Sequence, residues 1–195
     1  MTQAEEYSVA VHEAGHAVMG FLCRRGVKSI TCVPNEDKGY LGCCYGTDSE
    51  RLRSFAQRGE NGEASAKEIR NYFRSRIAGE VAGQLVLGEE WTLGGSDLDG
   101  FLSVLGSAGL AYILGESVPP REKMEEMVKN YEIYRDEWVS GMINETIAMM
   151  EPHVNAINAI ADKLIQRKTI SGRLARKIFK EYERKASVTQ AKEGF

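Results

Sequence analysis

Between Val9 and Cys23 the only ionisable side chains, thiol aside, are those of His12, Glu13 and His16. A segment apolar on nearly every side is expected to form a helix placed in the interior. Thr2, with Glu5 three residues later, has the spacing of a capping box. A helix is therefore predicted over residues 5–24. Any fold that buries it must accommodate two imidazoles and a carboxylate, at several kcal/mol unless they are paired.

The three ionisable residues read His12-Glu13-Ala14-Gly15-His16, the pattern H-E-x-x-H. Four helical steps turn about 400°, which puts both imidazoles on one face about 6 Å apart along the axis. Both can then reach a single metal at roughly 2.0–2.1 Å, which suits tetrahedral zinc. Glu13 lies about 100° round the helix. From there it can take a proton from a water polarised by the metal and pass it to a leaving amine. With three His in 195 residues, chance placement gives this pattern only about 0.003 times. The plain alternative is three satisfied polar residues on a core helix. Gly15 costs about 1 kcal/mol relative to Ala in a helix and is expected to let another backbone approach the metal.

Zinc needs a third protein ligand. The metzincin extension requires Gly at position 19 and His at 22, but Met19 and Leu22 stand there. Glu36 lies in a turn sequence, Pro34 to Gly39, and is disfavoured. His153, after Pro152, reads as a surface or cap residue. The residues leave Glu80, Glu89, Glu90, Asp97 and Asp99 open. Asp97 follows Gly94-Gly95-Ser96 and would open a helix, where Asp is also a routine N-cap.

Residues 27–33 alternate and are β-branched, predicting a strand. Turn chemistry follows at 34–39, and 40–46 read as a second strand, together a hairpin. Residues 47–63 are polar and read as a loop. Ile69, Phe73, Ile77, Val81 and Leu85 recur every four residues, predicting a helix over 64–88. A loop over 89–96 and a Gly-containing helix over 97–115 come next. Ser117-Val118-Pro119-Pro120 is the best internal boundary. Helices are predicted over 121–150, broken at Pro152, then 153–168 and 171–186, with Ser171 as an N-cap. Met142, Met149 and Met150 read as core. The fold class is mainly α with a small β-sheet (α+β).

A net charge of -3, from 25 Lys+Arg against 28 Asp+Glu, gives no global field for nucleic acid or an anionic membrane. The uncharged run from Gly100 up to Glu116 is too short to span a bilayer, so no membrane span is expected. Four Cys without a signal peptide imply reduced thiols and a cytoplasmic location. Cys32, Cys43 and Cys44 read as strand thiols, and the cations between Lys163 and Lys185 as a solvated helix face. Tyr40, Leu41 and Tyr45 suit either sheet packing or a cleft where a peptide adds as a strand.

Tyr7-Ser8-Val9-Ala10-Val11-His12-Glu13-Ala14-Gly15-His16-Ala17 resembles the helix ending in HEAGHA in the protease domain of FtsH-type ATP-dependent zinc metalloproteases. Residues 27–33, Pro34 and Gly39-Tyr40-Leu41-Gly42 are similar to that family's strand, proline turn and Leu-Gly strand. Residues 79–88 resemble its glycine-and-alanine helix. Thr92-Leu93-Gly94-Gly95-Ser96-Asp97-Leu98 lines up without a gap on its TGASNDL segment. The resemblance is specific over 7–46 and 77–98, and weak over 120–186.

The resemblance implies a zincin-like metallopeptidase core, placed over 1–116 by the boundary at 117–120, with a helical C-terminal subdomain over 117–186; residues 187–195 read from the sequence as a flexible tail. It implies zinc held by His12, His16 and Asp97, with Glu13 as the catalytic base and peptides or unfolded protein as substrate. The family's acidic pair falls on Gly83 and Gln84 here, so any supporting carboxylate is expected elsewhere, with Glu80 the candidate. With His12 twelve residues from the start, no ATPase module is expected in the same chain. A separate ATPase is a candidate partner, and an oligomer is compatible with the family. The rival expectation is a non-catalytic, peptidase-like protein-interaction module.

Overall fold

The computed structural model describes residues 1–46, 66–89 and 131–193. The backbone falls into two compact units. One comprises Met1–Asp48, Ala78–Trp91 and Ile147–Phe195; the other comprises Ser49–Ile77 and Thr92–Thr146.

The first unit is built on helix α1, Gln3–Leu22. Both halves of the expected capping box form: the Glu5 N–H donates to Thr2 Oγ1 at 3.3 Å, and the Thr2 N–H donates to Glu5 Oε2 at 2.7 Å. Together they satisfy two of the donors a helix start leaves orphaned. Ala10, Val11, Ala14, Ala17, Val18 and Met19 are fully buried, as the nearly all-round apolar sequence requires. After Cys23 caps the helix, Arg24 takes a left-handed φ of 56° and turns the chain into strand β1, Val27–Thr31.

Strand β1 pairs antiparallel with β2, Cys43–Gly46, through Ile30↔Cys44 and Thr31↔Cys43. This is the expected hairpin with a shorter second strand. Its connection is a turn of 3-10 helix, Glu36–Lys38, capped by the Asn35 side chain. Gly39 closes that turn at φ +68°, a conformation glycine adopts without steric cost.

Strand β3, Thr169–Ser171, pairs with the other edge of β1, so the sheet order is β2-β1-β3. Three residues between two helices carry too little alternation to announce a strand, and the sequence alone marks residues 169–170 only as a gap between helices. What makes them a strand is β1 alongside, in the register Ile30↔Ile170.

Helix α2, Ala66–Leu87, matches the expected four-residue spacing. Its residues from Ala78 onward belong to the first unit. Helix α3, Tyr131–Met150, ends where expected. Pro152 sits in a turn of 3-10 helix, Glu151–His153, followed by α4, Val154–Arg167. Helix α4 packs along α1 and buries Ile157, Ile160 and Leu164. Helix α5, Gly172–Glu193, begins after Ser171, whose hydroxyl accepts from the Leu174 N–H at 3.3 Å, the capping role expected of it. It places Ala175 and Phe179 in the core.

In the second unit Phe73, Ile77 and Met142 are buried. Arg74 Nη2 meets Glu145 Oε2 at 2.7 Å. Buried Thr146 returns its hydroxyl to the Met142 carbonyl at 2.7 Å, which removes the cost of an unpaired hydroxyl in the interior.

The described residues thus form a mainly helical α+β protein with a small antiparallel sheet, as the sequence implied. The expected boundary at 117–120 lies outside them. The segment from Ile147 shares a unit with α1, because β3 and α4 both pack on N-terminal elements.

Candidate metal centre

Helix α1 carries His12, Glu13 and His16 within little more than one turn. The Nε2 atoms of His12 and His16 stand 3.0 Å apart, with ring planes at 78° and centroids 4.7 Å apart. Two nitrogens about 2.0–2.1 Å from a shared tetrahedral metal would be roughly 3.3 Å apart. The observed separation is within a few tenths of an ångström of that, so the pair fits a two-histidine zinc site. Glu13 keeps only 6% of its surface. Its negative charge, after burial itself, raises the pKa of the Cys44 thiol on β2.

At Gly15 the neighbour is α2. A Cβ on Gly15 would collide with the Ala78 carbonyl oxygen and with the Ala82 side chain. Gly79, one residue beyond Ala78, has the His12 ring where its own Cβ would stand. Gly42, just before β2, faces Glu13: a Cβ there would be 2.8 Å from Glu13 Cγ and 2.9 Å from Oε1. The sequence gives neither glycine a role toward His12 or Glu13, since a glycine carries no local sign of what it faces.

The remaining candidates separate clearly. Glu36 is exposed on its turn. His153 packs against Phe179 with the rings tilted by 43° and centroids 5.2 Å apart, which is a packing role. Glu89 accepts from the Ser8 hydroxyl at 2.9 Å, one helical turn before His12. Its other oxygen lies 2.5 Å from the position a Gly83 Cβ would take. The Glu89 carboxylate, two residues beyond α2, therefore fills the space above Gly83. Glu80, the expected substitute, has Oε2 buried with no hydrogen-bond partner among the described residues. No third His, Cys, Asp or Glu among the described residues groups with His12 and His16. Glu90, Asp97 and Asp99 lie outside them.

The four cysteines are free thiols. Cys32 is buried, 3.6 Å from the Leu164 and Lys168 carbonyls. The Tyr40 and Tyr45 hydroxyls are hydrogen-bonded and their rings meet edge to face, while Leu41 stays 62% exposed. No described helix is long and apolar enough to cross a membrane. No family model matches the chain, and no curated protein matches it in sequence.

Proposed function

We propose that this protein is a zinc-dependent metallopeptidase with a zincin-like core, similar to the FtsH-type protease domain. The observation that carries the proposal is the 3.0 Å approach of two imidazole nitrogens beside a buried glutamate on one helix. His12 and His16 would hold the zinc, with Asp97 as third ligand on the strength of the TGASNDL resemblance. Bound there, zinc would polarise a water toward neutral-pH ionisation and draw charge from the scissile carbonyl.

The chain's own contribution is to hold the imidazoles in register and to move the proton. Glu13 accepts it at a carboxylate oxygen and returns it to the leaving amine nitrogen. Its near-complete burial strengthens electrostatic interactions at the reacting centre. Substrates would be peptides or unfolded segments, in the cytoplasm, with a separate ATPase as the candidate source of unfolded chains.

Glu13→Gln keeps the shape and removes the base. The variant should bind one zinc per chain, as wild type does, and lose hydrolysis of an unfolded protein such as casein by at least about 100-fold. Undiminished turnover would refute the assignment of Glu13. A wild-type protein that binds no zinc after metal is restored, and folds equally well in chelator, would favour the non-catalytic interaction module.

A further inference from the structure

Of the three α1 side chains given chemical roles, His12 and Glu13 are each seated against a glycine from a different element. The His12 imidazole occupies the place of a Gly79 side chain, overlapping Nδ1, Cε1 and Nε2. The Glu13 carboxylate lies over Gly42, whose Cβ would also stand 2.7 Å from Val9 Cγ1. Separations under about 3 Å cannot be absorbed in a close-packed interior without displacement. At both glycines the nearest opposing atoms belong to side chains, so a methyl must displace the His12 ring at 79 and the Glu13 side chain together with Val9 at 42. Backbone conformation imposes no such requirement, because neither glycine has a positive φ. In a helix interior, Ala at position 79 would even be favoured over Gly. Gly141, by contrast, faces open space.

We propose that Gly79 and Gly42 are positioning residues with separable effects, an inference that rests on the roles assigned above to His12 and Glu13. Gly79 sets the plane of the His12 ring and hence the direction of Nε2. Gly42 sets where the Glu13 carboxylate stands. An added methyl at 79 should therefore disturb metal binding, and one at 42 should disturb proton transfer at intact metal.

The test compares wild type, Gly79→Ala, Gly42→Ala and Gly141→Ala. For Gly79→Ala, zinc affinity should fall about 10–100-fold, the range for lost support around a ligand. For Gly42→Ala, zinc affinity should stay within about twofold while kcat falls about 10–100-fold with KM little changed, as for a small misplacement of a catalytic group. Gly141→Ala should change neither. In metal-free protein the His12 imidazole NMR signal, assigned by its loss in His12→Gln, should move in Gly79→Ala and stay put in Gly42→Ala.

Wild-type zinc affinity and turnover in both glycine variants would overturn the inference and leave the peptidase reading intact. If wild type itself neither binds zinc nor hydrolyses peptides, the peptidase reading fails and the separable effects with it. The metal-free signal then bears on the His12 seat alone, which an unmoved resonance in Gly79→Ala would also overturn. Should Gly79→Ala not fold, His12→Ala in the same background should restore folding; continued failure would count against the contact.

Discussion

The ammonium of Lys168 is ion-paired with the carboxylate of Glu6, 162 positions earlier in the chain. That hydrogen bond holds the Lys168 pKa above its usual value. Lys168 occupies the join between α4 and β3 at φ +61°, a region that costs a residue with a Cβ and suits glycine. Its carbonyl accepts from the Cys32 N–H at 3.0 Å and from the Thr31 hydroxyl at 3.2 Å. One residue thus ties α4, β3, β1 and α1 together. Lys168→Ala should lower the thermal midpoint, because it keeps the strained φ and loses the ion pair. Lys168→Gly should unfold about 2–4 °C above the Ala variant. Equal midpoints would show that φ at this position carries no cost.

Gly15→Ala sets helix propensity against packing. Propensity favours Ala by about 1 kcal/mol. Overpacking against the Ala78 carbonyl and the Ala82 side chain costs roughly 1–3 kcal/mol or more, and one opponent is backbone that cannot rotate away. Urea denaturation should show net destabilisation; a stabilised variant would contradict the close approach of α2.

Gly141→Ala should stabilise. The residue is exposed within α3 and a Cβ there meets nothing within 4 Å. Helix propensity then acts alone, for about 1 kcal/mol read from the denaturant midpoint.

Zinc should stabilise the folded state by mass action. At a free concentration about 100 times its Kd the gain is about 2.7 kcal/mol, or about 5–10 °C for a chain of this size. Differential scanning calorimetry with and without metal measures it. The increment should vanish in His16→Ala and persist in His153→Ala, since His153 packs on Phe179 instead. Loss of the increment in His153→Ala would bring that residue into the site.

His153 should make stability depend on pH. Burial against its neighbours lowers its pKa below the usual histidine value, with Glu183 acting weakly in the other direction. The unfolded chain therefore takes up the proton first as pH falls. The contribution of neutral His153 is full above the unfolded value of about 6.5 and is lost as pH drops from there through the lower folded value. His153→Gln should flatten the stability curve across that window; an unchanged slope would assign it to other groups.

The sequence by itself determined the helix that carries His12, Glu13 and His16, because cap, apolar run and histidine spacing are all local. The hairpin, the four-residue repeat of α2, the break at Pro152 and the Ser171 cap were legible for the same reason. Only the tertiary structure made Thr169–Ser171 a strand, since its hydrogen bonds come from β1, well over a hundred residues earlier. Only the tertiary structure brought Gly79 beneath His12, Gly42 beneath Glu13 and the Glu89 carboxylate over Gly83. A glycine's role is defined by what fills the space it leaves, and that neighbour comes from a distant part of the chain.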